Sequence, residues 1–564
     1  MFSSEILEER ADYLADQELE TWTASTDRFS ALVERACARG TLLFVGPRGC
    51  GKTHLFRYSH LKCRKKGIFS VYASFGGYYA LEPLLTNSAN ADRVFHAWVL
   101  CKILIEVKRE VEIRHPERDA NVDPWLAEDM QAMFQTFIDL AEKGAVRGDE
   151  VAERILRDVS ISGLNRVLRY CETLLNAPNT ILFLDDAALT LTPDYLVEFF
   201  DVVRNLKSRT LSVKAAVYPG TTEYGPRFHV GQDAQKEDVW AVDWEQPDSI
   251  LQQMASNRLQ TLTADIPPDV LVLLRVAAFG IPRAFLNLVR GYSDTTGNAQ
   301  LKFNRAIEQH TDHLLREYSS LKLKLPQYAD LLLAGEALFH AILEQIKKKN
   351  QELADTSEKQ LLSSIQQESS DTDQLRSRMV QFLVEAGLLF PKSSVSHGPD
   401  RAYDRYQPHM AFLLKEKAFS NKSRGFNATE IVAFLSRKDV KHPERSTLGN
   451  LVGHENMSKV HLNLPPCRNC STPRLKESQR YCYNCGHQMV NESKYNACLD
   501  IQLDEVPLTP WRKSKIRETQ LKTIRDFVTH PNTAQELQRP HGMGPNRSQD
   551  TEDKIKAYVK EFLS

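Results

Sequence analysis

The sequence predicts an α/β protein: a parallel sheet covered by helices on both faces, continued by a helical lid and a series of smaller modules. Two observations carry this reading. Four short apolar runs of strand type, TLLFV at 41–45, GIFSVYASF at 67–75, TILFLDD at 180–186 and LSVKAAVYP at 211–219, are separated by helix-length segments, and that alternation is the pattern of a parallel sheet buried on both sides. The first run leads directly into GPRGCGKTH, Gly46 to His54, which opens a helix-type segment.

Length and composition set the frame. At 564 residues the chain exceeds what one core supports, and about three to five domains are expected. Apolar residues at 42% and charged residues at 26% are those of a folded chain, and a net charge of -1 excludes a uniformly basic coat for nucleic acid, so any such contact is regional. No run of 18 apolar residues occurs, and MFSSEILEERADYLADQELE is acidic and amphipathic. A cytoplasmic protein with neither signal peptide nor membrane contact is expected.

The elements follow in order. Residues 1–245 read as the sheet-bearing core, with a helical insertion at about 90–178 that includes AWVLCKILIEV and MFQTFIDLA at helical spacing. Residues 246–322 read as a helical lid. Over 323–420, helices followed by LVEAGLLF and YDRYQPHMAFLL outline a winged helix, with SSIQQESSDTDQ at 363–374 taken as a loop inside it. Residues 421–460 are a linking helical stretch, 461–492 a zinc ribbon and 493–564 a small helical module.

GPRGCGKT matches G-x-x-x-x-G-K-[ST] through Gly46, Gly51, Lys52 and Thr53. Glycines let such a P-loop curl so that backbone N–H groups converge on phosphates. The loop and its flank (Gly46, Pro47, Arg48, Gly49, Cys50, Gly51, Lys52, Thr53 and His54) are therefore the expected ATP site. Lys52 reaches the β- and γ-phosphates and Thr53 holds Mg²⁺. Hydrolysis needs a second carboxylate site, and ILFLDD supplies Asp185 for the Mg²⁺ shell and Asp186 to orient or deprotonate water.

Two further stretches resemble AAA+ ATPases. In YPGTTEYGPR, Thr221 or Thr222 stands where the γ-phosphate is sensed, and Arg227 where an arginine points at a neighbouring subunit's nucleotide. GIPRAFLNLV at 280–289 resembles the lid signature whose arginine, here Arg283, is the second sensor. Together the P-loop, the LDD strand, the GIPR lid and the following winged helix resemble the origin-recognition/initiator branch of AAA+ ATPases, or the related signal-transducing ATPases with numerous domains, over roughly residues 20–420. The long helical insertion and Asp186, where many relatives carry Glu, depart from that pattern. The resemblance implies nucleotide-dependent assembly or switching on DNA or with a partner enzyme such as a nuclease or helicase, and Arg227 implies a homo-oligomer. For the process it leaves antiviral defence against foreign DNA, mobile-element control, repair and replication, with the first two preferred.

Of the ten cysteines, Cys467, Cys470, Cys482 and Cys485 form two C-x-x-C pairs separated by STPRLKESQRY. Four thiolates suit a structural, tetrahedral Zn²⁺, and Gly486 permits the tight turn of the second knuckle. His487 is a spare ligand candidate, read as a surface residue. Arg468, Arg474, Lys476 and Arg480 make the ribbon basic, a face equally suited to nucleic acid, to solvent or to a protein. The tail resembles a helix-hairpin-helix module, with Gly542, Met543 and Gly544 presenting N–H groups to a DNA phosphate and Arg547 adding charge. Asp550, Glu552 and Asp553 oppose that contact, and docking to a protein is the alternative. Trp511, Arg512, Lys513, Lys515 and Arg517 form a second candidate basic contact.

Overall fold

The computed structural model describes residues 7–563 except 9, 76–80, 82–89, 117–122, 187–192, 207, 220–221, 223, 244–248, 368–372, 397, 399–400, 420–426, 459, 468, 476–478, 480, 488, 490–497 and 531. Strands β1 (Leu42–Val45), β2 (Phe69–Ser74), β3 (Thr180–Asp185), β4 (Leu211–Val217) and β5 (Gln235–Asp238) form one sheet in the order β2-β3-β4-β1-β5. Every pairing in it is parallel. The α/β class and the parallel sheet expected from the sequence are present, and β5 is an addition. Its residues Gln-Lys-Glu-Asp are polar and mostly exposed, so no apolar run announces them; the strand exists because β1 offers an unpaired edge.

Successive strand residues serve opposite faces. Phe44, Ile181, Phe183 and Ala216 belong to one core with the helix Lys52–Lys65 and the lid. Leu43, Leu182, Leu184 and Ala215 belong to a second, filled by the helices Ala91–Arg114, Glu128–Glu142, Ile161–Leu174 and Pro193–Leu206. The helical insertion is thus the cover of one sheet face. Helix Ala91–Arg114 is hydrophobic nearly all round, from Val94 through Trp98 and Ile103 to Val111, as burial against both sheet and outer helices demands.

After the sheet the chain is helical from Ile250 to Lys324, then continues as helix Ala329–Glu352, β6 (Glu358–Lys359), β7 (Ser363–Gln366), helix Asp373–Glu385 and the strands β8 (Leu389–Ser396) and β9 (Ala402–Pro408). β8 and β9 pair antiparallel as a hairpin, and β7 lies antiparallel against β9. β10 (Lys438–Asp439) and β11 (Glu444–Ser446) return to pair with β6 and β7. The reading of 363–366 as loop is corrected here. Ser363 and Ser364 are buried, Ser363 Oγ donates to Gln345 Oε1 of the helix Ala329–Glu352 at 2.8 Å, and β7 pairs with β9 and β11, so a polar strand is held by neighbours that its composition does not signal.

The sheet, the lid and the following unit share one continuous apolar core. Phe279–Arg283 form a close seam in it. Trp240, just past β5, donates its indole N–H to Phe279 O at 2.9 Å and stacks edge-on against Phe390 of β8 at 4.7 Å. Phe279 and Gly280 are both left-handed, at φ 53 and 73°. A Cβ on Gly280 would lie 1.8 Å from Ala241 O, so only glycine lets the two backbones meet. The C-terminal residues gather a small core of their own around Leu503, Ile516, Ile524, Leu537 and Ile555.

Two measurements probe this seam. Gly280→Ala should cost about 2–4 kcal/mol of unfolding free energy in urea, because it adds both a clash and backbone strain. His310 of the lid and His409, which caps the helix Met410–Lys415, are buried with ring centroids 5.4 Å apart. Burial, with His313 adding repulsion, holds His310 down to about 3. Burial and the His310 charge hold His409 well below its ordinary value. The unfolded chain takes up both protons as pH falls below about 6.5 while the folded chain does not. Stability should therefore be full above that pH and decline towards pH 3 by about 1.4 kcal/mol per pH unit for each histidine, read from denaturation midpoints at pH 7 and 5.

Candidate nucleotide site and metal centre

The loop Gly46–Gly51 joins β1 to the helix Lys52–Lys65. Gly49 and Gly51 are left-handed at φ 80 and 99°, and the helix begins at Gly51 without a side-chain cap, so its first N–H groups face outward. Cys50 is buried under the loop; a Cβ on Gly46 would sit 2.4 Å from its Sγ. Lys52 Nζ is buried, donates to Gly46 O at 2.6 Å and Pro47 O at 3.1 Å, and lies 3.9 Å from the centre of the Tyr218 ring. Arg48 points outward, exposed.

β4 lies between the phosphate-loop strand and the aspartate strand, and Tyr218 at its end bridges the gap between Lys52 and the Asp-Asp pair. Asp185 is buried at the end of β3. It accepts the Tyr72 hydroxyl at 2.8 Å and the Asp186 N–H at 3.0 Å, and Thr53 bonds to it as well. Burial and the Asp186 charge push its carboxyl up to about 7; a bound cation would reverse that shift. Asp186 is left-handed at φ 55°, a conformation aspartate tolerates. Burial raises its carboxyl against the pull of Lys52, Arg48 and Arg10.

The lid closes on the loop directly. Arg283 N–H donates to Gly49 O at 3.4 Å, and a Cβ on Gly49 would meet Arg283 Cβ at 3.0 Å. Gly387, ahead of β8, lies against Ile281 and Pro47. A segment ahead of the sheet also crosses here. Leu7 O accepts from Arg290 at 2.6 Å, Glu8 O from Arg258 at 2.6 Å and Leu14 O from Arg57 at 2.8 Å. Arg10 and Asp12 on this strap lie within the field of Asp186.

Of the expected site residues, Lys52, Thr53, Asp185, Asp186 and Arg283 converge at the carboxyl ends of the parallel strands, where open α/β sheets bind ligands. His54 turns the other way, its Nε2 2.9 Å from Thr23 Oγ1. Thr222 is occupied by its own turn, bonding Tyr218 O at 2.9 Å. Thr221 lies outside the described residues. Arg227 is largely exposed and paired with Asp201 at 3.0 Å. The sequence reading missed Tyr72, Tyr218 and the strap. Tyr218 follows β4 and could have been found from its place at a strand's carboxyl end; the strap contacts run through carbonyls and leave no side-chain pattern.

The four expected metal ligands do come together: the thiol sulfurs of Cys467, Cys470, Cys482 and Cys485 all lie within 4.8 Å of one another. Cys467–Cys485 and Cys470–Cys482 are each 3.5 Å apart. Tetrahedral Zn–S bonds of about 2.3 Å require sulfur spacings of this order, so the donor set fits zinc. The knuckles are built alike. Ser471 N–H donates to Cys467 O and Gly486 N–H to Cys482 O, and both donor residues are left-handed, at φ 56 and 70°. His487 is exposed and outside the cluster. Arg474 is buried, while Arg468, Lys476 and Arg480 lie outside the described residues.

In the tail, Gly542 at φ 89° turns the chain between the helices Thr533–Gln538 and Pro545–Leu563. Met543 is buried, and the space around Gly544 is open. The second helix begins right after Gly544, at Pro545. Arg547 donates to Gly542 O at 3.1 Å and lies 5.2 Å over the Trp511 ring. The second basic cluster is answered from within: Arg512 pairs with Asp550, Lys515 with Glu518 and Arg517 with Asp504, and Lys513 donates to Asp504 O. Carboxylates that flank the cluster or come from the last helix pair with Arg512, Lys515 and Arg517, contrary to a free basic contact. Among the described residues no helix is long and apolar enough to cross a membrane.

A phosphate loop on the first strand of a parallel sheet, an aspartate on a strand two places away and a lid arginine segment against the loop define the P-loop nucleotide-binding class. Residues 7–81, which include the phosphate loop, match the ORC-CDC6-like family model. Similar solved structures include a Walker-type ATPase of Pyrococcus abyssi, at 14% identity with 73% of this chain and 99% of that one covered and a TM-score of 0.37. The Orc1 protein of Aeropyrum pernix, solved in complex with DNA, gives 13%, 70%, 93% and 0.29. Cdc6p of Pyrobaculum aerophilum gives 12%, 74%, 97% and 0.27. No curated protein matches the chain.

Metal analysis of the purified chain should find one equivalent of zinc. Cys482→Ser should lose it while ATP affinity stays unchanged, since the thiols and the phosphate loop belong to separate cores.

Proposed function

We propose that the chain binds and hydrolyses ATP with Mg²⁺ at this cleft and uses the nucleotide state to set DNA binding or self-assembly. The observation that carries the reading is the convergence of Lys52, Thr53 and Asp185 beneath a lid segment that touches Gly49 through Arg283. Lys52 exchanges the Gly46 and Pro47 carbonyls for the β- and γ-phosphates, and the loop N–H groups from Gly49 to Thr53 hold the rest of the chain of phosphates. Thr53 and Asp185 hold Mg²⁺, which when bound neutralises developing phosphate charge. Asp186 orients or deprotonates the attacking water. Arg283 reports the γ-phosphate to the lid. Arg227, released from Asp201, reaches the nucleotide of a neighbouring copy in a homo-oligomer.

The unit at 323–420, with its helices, strand and hairpin, is read as a winged helix. It senses the cleft through Ile281, Gly387 and Trp240, so lid movement changes how its hairpin meets DNA. The hairpin Gly542–Gly544 is read as a phosphate contact, and the zinc ribbon as a rigid basic support. One observation favours a second reading, a nucleotide-switched scaffold that regulates a partner such as a nuclease or helicase: the neutralised cluster around Arg512 suits a protein contact better than a polyanion.

Lys52→Ala should lower ATP turnover by about 100-fold or more, and double-stranded DNA should raise turnover of the unaltered chain. Turnover indifferent to single- and double-stranded DNA sinks the DNA-coupled reading and leaves the scaffold. Truncation after Leu464 should weaken DNA binding and flatten its salt dependence; an unchanged affinity removes ribbon and tail from DNA contact.

A further inference from the structure

The lid helices Pro282–Asp294 and Ala299–Lys324, close together where Gly291 meets Ala306 and Gln309, wall a cavity of about 580 Å³ that reaches this contact. Arg48 and Arg283 wall it towards the phosphate loop. Arg283, Asn287, Arg290 and Asp294 recur at helical spacing and line one side, a span of about 16 Å along the helix. Gln309, His310 and His313 line the other. Lys52, Thr53 and Asp185 are not in its walls, so the cavity shares only the two arginines with the cleft described above.

Its chemistry is unbalanced as it stands. Arg283 Nε and His310 Nε2 are both buried with no hydrogen-bond partner, and buried polar atoms of this kind call for one. Three arginines face two carboxylates, and one of these, Glu317, lies 3.6 Å from His313. Guanidinium forks match the oxygens of a phosphate, and an excess of them favours a dianion over a single carboxylate. We propose that this cavity is a second anion site, which takes the phosphomonoester of a small hydroxylated molecule, of sugar-phosphate to mononucleotide size, while a diphosphate occupies Lys52, since a γ-phosphate would compete for Arg283. The volume suits such a ligand, and Asn287 and Gln309 supply hydrogen bonds to its hydroxyls. Arg290 also donates to Leu7 O at 2.6 Å, so a ligand that engages Arg290 competes with the strap.

The test titrates ribose 5-phosphate, with inorganic phosphate and succinate as separate arms, into the full chain saturated with Mg·ADP, by calorimetry. Ribose 5-phosphate should bind, inorganic phosphate more weakly and succinate not at all. Arg290→Gln should weaken ribose 5-phosphate about tenfold and Gln309→Ala about threefold. Gln309 is exposed on the lid, so its variant should fold and keep Mg·ADP affinity within about twofold. The proposal fails if ribose 5-phosphate gives no binding to the ADP-loaded chain, if excess ADP displaces it, if succinate binds equally, or if neither variant weakens it. Should Mg·ADP itself not bind, the nucleotide reading falls, while titration of the unloaded chain still decides the second site.

Discussion

The lid and the hairpin unit behind it hang on the contact between five residues, Phe279 to Arg283, and the phosphate loop. Gly280 passes so close to Ala241 that no side chain fits between them, and Arg283 bonds the backbone of Gly49. Trp240 then ties the same turn to Phe390 of the hairpin unit. A shift at the loop therefore reaches the lid and the hairpin in one step, because close-packed contacts yield by moving together rather than by compressing. Two consecutive left-handed residues, one of them a phenylalanine, give the turn a shape with few alternatives.

How much of this could be read from the chain depended on whether the determinant was local. The phosphate loop, the aspartate pair and the cysteine quartet are short-range patterns, and their residues assemble as their spacing implies. The left-handed Gly486 is an example of a turn visible in one letter. Its counterpart Ser471 is not visible, because the first knuckle imposes the same backbone on a residue that does not advertise it. β5 and β7 were illegible for a related reason. Both are polar strands whose pairing energy comes from neighbours distant in sequence. Tyr72 reaches Asp185 across the strand pair β2–β3, a contact fixed by register rather than by motif.

Charge was the least legible property. The whole chain is near neutrality, and basic residues that stand out in a linear window often meet their counter-ions in the fold, as Arg512, Lys515 and Arg517 do. Around the phosphate loop the reverse holds: Arg48 and Arg283, far apart in the sequence, share one cavity wall with Arg290. A polyanion or phosphate contact is thus better sought where arginines gather around one cavity than where they are merely dense in the sequence.

The strap that crosses the cleft has a consequence for biosynthesis. Its carbonyls at Leu7 and Glu8 are held by Arg290 and Arg258, 283 and 250 residues further on. A ribosome adding about 5–20 residues per second needs on the order of tens of seconds to deliver those arginines. Throughout that interval the sheet can form while the strap waits undocked. The cleft is therefore completed only once the lid has been made, and a nascent chain presents an open phosphate loop well before it owns the lid that would close it.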